Sequence, residues 1–409
     1  MDLDGKPHLL GRLWAHVRKN MESASFEYDK TWLENPMRFS LGPALQVGPG
    51  AFHTPADTPM FGAIGDSAPD QWGRALMRRA ERRRAERAGT APRSPQEIDF
   101  LLLVDDEARQ GALRFAEKEG GPFLREKGGK RIPPLVELPE LLSAVEHVVE
   151  DKDTEEDLLL LIAPGSSLGG ARPKASVIDK DCHLAIAKFP RRDDEYNMVV
   201  WEAVALALPA KSGIPVPESR VETVADKPVI LLRRFDRGKA ARIPFLSAMS
   251  MLGAKDRDTR SYLEIVDALR QHGAAPKEDM EELWRRIVFS ILISNTDDHL
   301  RNHGFLYAGQ AGWRLSPAYD LNPVPVDIKP RILATAINED DGAASLDLAM
   351  SVAEYFELEK DKAKAIAAQV GKAVSKWRDA AARYGIGKIE IDRMASAFEH
   401  DDLKKALGK

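Results

Sequence analysis

The stretch that decides the fold is Ser294-Asn295-Thr296-Asp297-Asp298-His299-Leu300-Arg301-Asn302. Within it, Asp297 and Asn302 are five positions apart, and this D-x-x-x-x-N spacing is that of a kinase catalytic loop. In such a loop the aspartate accepts the proton of the attacking hydroxyl, and the asparagine side chain holds a magnesium ion. Asp298 does not fit this scheme, because it lies only four positions before Asn302. The spacing therefore predicts phosphoryl transfer with Asp297 as the catalytic base.

A kinase site also needs a second acid, which joins the metal to the phosphates and follows one short hairpin downstream. Residues 305–307 and 313–315 predict two short strands, and the glycine-containing segment between them predicts a turn. Asp320 follows the second strand, eighteen positions after Asn302. We therefore predict that Asn302 and Asp320 bind a metal ion, and that this ion is Mg²⁺.

The composition is that of an ordinary globular protein. Hydrophobic residues make up 44% and charged residues 30% of the 409-residue chain, and the formal net charge is −5. Such a charge gives no general preference for nucleic acid or membranes. The single cysteine, Cys182, excludes an internal disulfide and a cysteine-based metal cluster. No apolar run is long enough to cross a bilayer, and residues 1–8 do not predict a signal peptide. We expect a cytoplasmic protein of two or three folded units.

Residues 1–135 differ in amino-acid pattern from the rest of the chain. Alternating apolar positions and many Gly and Pro predict short strands and loops there, including a strand at residues 111–115. Residues 74–87 predict a helix with seven arginines, which only Glu81 and Glu86 oppose. This helix is either a solvated face or a surface that contacts an acidic partner or nucleic acid.

After a linker predicted at residues 120–134, the chain predicts a few strands and then mainly helices. Strands are expected at residues 175–178, 183–188 and 229–232, and helices at residues 138–149 and 195–208. Residues 283–293 are apolar nearly all round, which is typical of a buried helix, and they lead directly into the catalytic loop. The tail, residues 352–407, predicts two or three helices.

Three further parts of a kinase site have candidates in the expected order. Gly165-Ser166-Ser167-Leu168-Gly169-Gly170 matches neither a Walker A loop nor G-x-G-x-x-G, so it is either a phosphate-covering loop or a plain turn. Lys188 ends a strand that resembles the V-A-I-K strand of kinases, and it either binds phosphates or extends to water. Glu202 lies on an otherwise apolar helix and needs a buried partner. We predict that this partner is Lys188.

These residues together resemble the HipA family of serine/threonine kinase toxins from bacterial toxin–antitoxin modules. The shared motifs, in chain order, are Phe26-Glu27-Tyr28, residues 36–41, Asp66-Ser67-Ala68-Pro69-Asp70-Gln71-Trp72-Gly73, Ser167-Leu168-Gly169-Gly170-Ala171-Arg172-Pro173-Lys174, Ala187-Lys188-Phe189-Pro190, Arg233-Arg234-Phe235-Asp236-Arg237, and residues 295–305 and 315–320. The catalytic stretch is also similar to the D-R-H-x-x-N loop of phosphoinositide kinases. The resemblance covers residue 10 to at least residue 325, and its joint motif set is highly specific.

The resemblance implies an α+β, two-lobed protein-kinase-like fold with a small β-rich lobe, a large helical lobe and an added β-rich amino-terminal subdomain. Residues 1–135 would form the amino-terminal subdomain. Residues 136–237 would form the small lobe with the Gly-rich loop and the strand lysine. Residues 238–409 would form the mainly helical large lobe with the catalytic loop.

ATP and Mg²⁺ are the cofactors that the resemblance implies. Catalysis would involve Asp297, His299, Lys188 and Glu202. The residues implied in nucleotide binding are Ser167, Gly169, Gly170, Lys188, Arg233, Phe235, His299, Asn302 and Asp320. His299 would either steady the transferred phosphoryl group or simply pack the loop, and the backbone around Arg233 and Phe235 would read adenine.

Ser167 matches the serine that family members autophosphorylate, a modification that ejects the loop and switches the kinase off. A phosphate dianion at the position of the ATP phosphates would repel them. Because Ser166 lies directly beside Ser167, the sequence leaves open which of the two serines is phosphorylated. Asp236 lies within the motif around Arg233 and Phe235, and it could serve there simply as a salt-bridge partner of Arg234 or Arg237. Asp320-Leu321-Asn322 replaces the D-F-G of other kinases, so control by a moving Phe is not expected.

The resemblance also implies partners. The usual one is a helix-turn-helix antitoxin of the HipB type bound to operator DNA, so any contact with DNA would be indirect, and no membrane is involved. The usual substrates are proteins of translation, such as an aminoacyl-tRNA synthetase. Two alternatives stay open. A lipid or small-metabolite kinase of the phosphoinositide-kinase-like group would share the same polar residues, and an inactive antitoxin-binding module would have no physical need of buried, like-charged acids.

Overall fold

The computed structural model describes residues 1–19, 21–124, 132–165, 170–238 and 241–409. Close contacts divide the chain into two compact units. The first comprises Met1–Arg192 and Glu222–Leu246, and the second comprises Asp193–Val221 and Ser247–Lys409. The division into three domains, with boundaries after residues 135 and 237, stays a prediction.

The first unit contains most of the strands. They are β1 (Asp2–Leu3), β2 (Lys6–Pro7), β3 (Gly11–Arg18), β4 (Met21–Tyr28), β5 (Ala51–His53), β6 (Lys174–Ile178), β7 (Leu184–Lys188), β8 (Ser219–Val224), which begins in the second unit, and β9 (Lys227–Arg233). Its helices are α1 (Lys30–Leu33), α2 (Gly62–Gly65), α3 (Gln71–Ala88), α4 (Glu97–Leu103), α5 (Leu138–Val149) and α6 (Glu155–Gly165), with a short 3₁₀ helix at Leu135–Glu137.

Two antiparallel arrangements organise this unit. Strand β4 pairs with β3 on one side and β5 on the other, and β7 pairs likewise with β6 and β9. The apolar faces of α5 and α6 cover the second arrangement, with Leu141, Val145 and Leu161 fully buried against strand residues such as Val177 and Leu231. Burial of apolar area of this kind is the main stabilising term for such a layered core.

Helix α3 carries the seven arginines noted in the sequence. Asp70 caps its amino terminus by accepting the N–H of Gly73 at 2.8 Å, and Gly89 ends it with a left-handed φ of 62°. Most of the arginines pair with acids of the same unit: Arg74 with Glu97, Arg79 with Asp151 and Asp153, Arg83 with Asp153, Arg84 with Glu81, and Arg87 with Glu155. The helix therefore uses most of its positive charge within its own unit.

The second unit is mainly helical. Its helices are α7 (Met198–Ala207), α8 (Ala248–Met251), α9 (Tyr262–His272), α10 (Pro276–Leu292), α11 (Leu346–Ser351), α12 (Lys360–Val374), α13 (Trp377–Arg383), α14 (Lys388–Arg393), α15 (Ala395–Phe398) and α16 (Asp401–Ala406). Short 3₁₀ helices lie at Pro209–Lys211, Leu300–Asn302, Gly309–Ala311 and Ala353–Phe356. The remaining strands are β10 (Phe245–Ser247), which begins in the first unit, β11 (Gly304–Tyr307) and β12 (Trp313–Leu315).

The mixed α+β fold is confirmed, and so are the buried helix and the hairpin around the catalytic loop. Helix α10 is buried along most of its second half, and β11 pairs with β12 with Phe305 opposite Leu315. Two predictions are wrong. The tail forms five α-helices rather than two or three, with a break at Gly385, whose φ is +76°. Residues 111–115 form no strand, because Gly111 has a left-handed φ of +72°.

No helix among the described residues is both long enough and apolar enough to span a membrane.

Candidate active site

The catalytic loop begins where the buried helix α10 ends. Ser294 has a φ of +53°, a conformation that costs a non-glycine residue free energy. Three contacts hold it there. The Ser294 hydroxyl donates to the carbonyl oxygen of Ala397 at 2.8 Å, and it lies 3.1 Å from the donating Nε of Arg331. The Ser294 carbonyl accepts the N–H of Val324 at 3.2 Å. The start of the loop is therefore fixed by one side chain and two backbone groups from distant parts of the unit.

Asp297 and Asn302 meet across one turn of the loop. Asn302 is buried, and its Nδ2 donates to the backbone oxygen of Asp297 at 3.0 Å. Because the amide nitrogen is used in this bond, the side-chain oxygen of Asn302 points away from that carbonyl. The side chain of Asp297 is 64% exposed. The loop thus presents an accessible carboxylate beside an oriented amide oxygen.

The neighbouring acid, Asp298, lies in the opposite environment. It is buried, and the Tyr262 hydroxyl donates to its Oδ2 at 2.6 Å. The Ser290 hydroxyl donates to the same oxygen at 3.0 Å, and His303 Nε2 lies 3.0 Å from Oδ1. The backbone oxygen of Asp298 accepts the Thr335 hydroxyl at 2.8 Å. Asp298 therefore ties the loop to α9, to α10 and to His303, the residue before β11, and its side chain is shielded from solvent.

The charge of Asp298 is stabilised in this position. Burial alone would raise the pKa of its carboxyl, but the electrostatic interaction with His303 and the hydrogen-bond donors around the carboxyl outweigh burial and lower the pKa below its usual value. Burial, and then the Asp298 charge, raise the pKa of Tyr262 well above its usual value, so the phenol stays protonated and donates. The cluster remains an ionised carboxylate with donors around it at neutral pH.

Asp320 lies on a loop that is bonded to the catalytic loop on both sides. Before it, the Tyr319 hydroxyl donates to the backbone oxygen of Arg301 at 2.6 Å. After it, the N–H of Asn322 donates to Asn295 Oδ1 at 3.2 Å, and the Asn322 amide donates to Asp320 Oδ1 at 3.2 Å. Asp320 itself has a φ of +58°, which Asp tolerates better than most residues. The structure thus places Asp320 beside the loop that carries Asn302.

Two more groups adjoin Asp297. Lys329 Nζ lies 3.9 Å from Asp297 Oδ1, and both side chains are largely exposed. The backbone N–H of His299 donates to the Asp297 carbonyl at 2.9 Å. His299 Nδ1 is buried and has no hydrogen-bond partner among the described residues. A buried polar atom of this kind is suited to a group that is supplied from outside the protein.

Lys188 is the last residue of β7 in the first unit. It is half-buried and lies opposite Lys174 on one side and Ile230 on the other. Lys174 is buried and forms an ion pair with Asp70, at 3.0 Å. Gly170 has a φ of +100°, and a Cβ there would lie 3.0 Å from Lys174 Nζ. Glycine is therefore favoured at position 170 by its left-handed backbone conformation.

Arg233 ends β9 and Phe235 follows it, with the Phe235 ring 6.4 Å from that of Phe245. The nearby Asp236 is buried, and it forms ion pairs with Arg234 at 2.6 Å and with Arg237 at 2.7 Å. Burial opposes the charge, but the two guanidinium groups and the Gly111 N–H hold the pKa of Asp236 far below its usual value. Asp236 therefore has the salt-bridge role.

The remaining predicted residues are placed as follows. Glu202 is buried on α7 in the second unit, whereas Lys188 belongs to the first, so their pairing stays a prediction. Ser166, Ser167 and Gly169 lie outside the described residues.

Sequence reasoning missed the residues that support the loop. They are Tyr262, Ser290, Asn295, His303, Lys329 and Thr335. Spacing alone carries no signal for most of them, because they reach the loop from separate elements.

The family model of the HipA-like C-terminal domain matches residues 166–377, slightly more than half of the chain. This chain belongs to the HipA family. A relative named a putative kinase from Haemophilus influenzae is 26% identical over 44% of this chain and 61% of its own length, so the chain spans less than two thirds of that relative. A putative kinase from Sinorhizobium fredii is 24% identical over 72% of this chain and 71% of its own length.

A solved structure has a similar fold. It is the Shewanella oneidensis HipA toxin in complex with HipB and operator DNA, with a TM-score of 0.65 and 16% identity. The match covers 98% of this chain and 95% of that one. The kinase-like fold with its amino-terminal addition is therefore confirmed for the HipA-family chain described here.

Proposed function

We propose that this HipA-family chain is an ATP- and Mg²⁺-dependent serine/threonine protein kinase that acts as the toxin of a toxin–antitoxin system. The observation that carries this proposal is the loop geometry. An exposed Asp297 carboxylate adjoins the oriented Asn302 amide, and the Asp320 loop is hydrogen-bonded to the same catalytic loop. The names of the curated relatives support kinase activity.

The residues present fit a magnesium–nucleotide complex. The side-chain oxygens of Asn302 and Asp320 are the hard ligands that Mg²⁺ prefers, and phosphate oxygens and water would complete its octahedron. In the first unit, Lys188 would bind the α- and β-phosphates, and the backbone near Arg233 and Phe235 would bind adenine. Bound Mg²⁺ would neutralise charge on the phosphates. His299 Nδ1 would donate to a phosphoryl oxygen.

The chemistry of the proposed transfer depends on Asp297. Its carboxylate would orient a serine or threonine hydroxyl and accept its proton as the oxygen forms a bond to the γ-phosphorus of ATP. The bond from that phosphorus to the bridging oxygen breaks, and ADP leaves. Acceptance of a proton by a positioned carboxylate typically contributes ~10²–10⁴-fold to the rate. Asp298, buried among its donors, would hold the loop without taking part in proton transfer.

The proposal extends to regulation and partners. Autophosphorylation at Ser167, or at Ser166 beside it, would place a dianion in the phosphate-binding loop and inactivate the enzyme. A helix-turn-helix antitoxin of the HipB type is the proposed partner, with DNA bound through it. The Shewanella relative was solved with such a partner and operator DNA, which supports this. The proposed substrate is a protein of translation, such as an aminoacyl-tRNA synthetase, and the proposed location is the cytoplasm.

Incubation of the purified chain with γ-labelled ATP and Mg²⁺, followed by phosphosite mapping, tests the proposal. We expect label on a serine of residues 165–170, and none for Asp297→Asn at equal folding. A folded wild-type chain that neither labels itself nor turns over ATP would contradict kinase activity. Transfer of label to lipid or to a small metabolite, with no protein labelled, would favour the other kinase class.

A further inference from the structure

An exposed apolar strip lies on the segment that follows the Asp320 loop. The segment reads Pro323-Val324-Pro325-Val326-Asp327-Ile328-Lys329-Pro330-Arg331-Ile332. Three of its residues are exposed: Val326 by 50%, Ile328 by 37% and Ile332 by 56%. We call these three residues the apolar strip. Single exposed aliphatic residues are common, but three so close together indicate a surface that contacts something.

The backbone under the apolar strip is anchored. Arg331 Nη2 donates to the carbonyl oxygen of Ile291 at 3.0 Å, and Arg331 Nη1 pairs with Asp402 at 2.8 Å. The N–H of Val326 donates to the Ser396 hydroxyl at 3.2 Å. Three prolines further restrict the segment. A surface that is already ordered loses little conformational entropy when it binds a partner.

The apolar strip lies on the segment that contacts the proposed catalytic base. Lys329 lies within the same segment, and its Nζ is 3.9 Å from Asp297 Oδ1. Each strip residue is at most three positions from Lys329, so its backbone lies within about 10 Å of Lys329, since an extended residue spans ~3.3–3.6 Å. A peptide whose hydroxyl reaches Asp297 would therefore have the strip within reach of its neighbouring residues.

We propose that the apolar strip docks the phosphoacceptor segment of a protein substrate. The occupant is an extended peptide with a serine or threonine at Asp297 and an aliphatic side chain within about five residues of it. This inference rests on the proposed kinase function and narrows its substrate class. The strip has no aromatic residue, and its two basic neighbours face Asp297 and Asp402. A membrane-binding surface would instead present aromatic residues and basic groups directed at lipid.

The test uses a positional-scanning library of peptides with a central serine, with Mg²⁺ and γ-labelled ATP. We expect the wild-type chain to select an aliphatic residue at one position near the serine. Val326→Asp and Ile332→Asp should each lower kcat/KM for the selected peptide by about 10- to 100-fold, the size expected for an apolar contact in a specificity site. ATP hydrolysis without peptide should stay unchanged. Leu159→Asp, which replaces a 55% exposed aliphatic residue of the first unit, is the matched control.

The outcomes separate the inference from the proposed function. ATP hydrolysis without selection of an aliphatic residue, or with full peptide activity in Val326→Asp and Ile332→Asp, would overturn the docking surface and leave the kinase function in place. Preferential labelling of phospholipid vesicles over every peptide would also overturn it. Absence of any ATP turnover by the folded wild-type chain would overturn both. Equal melting temperatures of all variants establish that a lost activity is not lost folding.

Discussion

Asn302 Nδ2 donates a 3.0 Å hydrogen bond to the backbone carbonyl oxygen of Asp297. This bond closes the loop between the two residues and sets the direction of the Asn302 amide. The proposed base and the proposed metal ligand therefore depend on one local turn. A shift of this turn would move both groups together, which is why the loop is tied at Ser294, Asn295 and Asp298 to surrounding elements.

The first prediction concerns the metal. Asn302 and Asp320 supply few ligands for an ion that needs six, so Mg²⁺ should bind weakly to the nucleotide-free protein. A non-hydrolysable ATP analogue should tighten Mg²⁺ binding roughly 10-fold or more, the usual size of such coupling. Titration calorimetry with and without the analogue measures this. Tight Mg²⁺ binding at this site without nucleotide would count against the assigned ligands.

The second prediction concerns the phosphate and metal contacts. Lys188→Ala and Asp320→Asn should each lower phosphoryl transfer by about 10²-fold or more, because in the proposed site Lys188 binds the phosphates and Asp320 holds the metal ion. Neither should lower the melting temperature much. Lys180→Ala and Asp340→Asn, which change exposed residues, are the matched controls. Near-normal transfer in Lys188→Ala or Asp320→Asn would mean that the residue is wrongly assigned.

The third prediction concerns the stability of the first unit. Asp236→Asn leaves two buried guanidinium groups without their carboxylate, and loss of one member of a buried ion pair typically costs about 3–5 kcal/mol. The free energy of unfolding from denaturant titration should fall accordingly. Asp151→Asn, which removes an 80% exposed partner of Arg79, should change it by less than about 1 kcal/mol. Equal effects of the two substitutions would contradict the buried network.

The fourth prediction concerns pH. Burial, with the nearby Arg331 adding to it, lowers the pKa of His400 to about 4. The unfolded chain, with a histidine pKa of about 6.5, therefore binds more protons than the folded chain between those values. The free energy of unfolding should therefore fall as the pH drops from about 6.5 to 4. His400 should contribute at most about 3 kcal/mol to this fall. His400→Gln should flatten the pH dependence of the melting temperature over that range. A slope that persists in His400→Gln would assign the pH dependence to another group.

The sequence predicts the local structure around the candidate site well. The D-x-x-x-x-N spacing, the hairpin that leads to Asp320 and the buried helix before the loop all lie within one continuous stretch. Periodicity and turn residues are sufficient to find such features. The same reasoning predicted different roles for Asp297 and Asp298 from their spacing to Asn302 alone, and the structure shows that Asp297 is exposed and Asp298 is buried.

Long-range contacts were beyond that reasoning. Tyr262, Ser290 and His303 meet at Asp298 from three different elements, and no spacing rule joins them. The strand expected at residues 111–115 fails for a related reason. Gly111 adopts a left-handed turn whose N–H bonds to Asp236, a residue more than a hundred positions away.

The central claim is that Asp297, and not its neighbour, is the base of a phosphotransferase. Asp297→Asn removes the proton acceptor from an exposed position, so kcat should fall by ~10²–10⁴-fold while the melting temperature holds. Asp298→Asn removes a buried charge from His303 and its hydroxyl donors. It should lower the melting temperature and leave much more of the activity.

The most direct measurement is therefore the rate of label transfer from γ-labelled ATP by the two variants, side by side with wild type, and the melting temperature of each. The account predicts an inactive, stable Asp297→Asn and an active, less stable Asp298→Asn. An active Asp297→Asn together with an Asp298→Asn that is inactive yet as stable as wild type would contradict it.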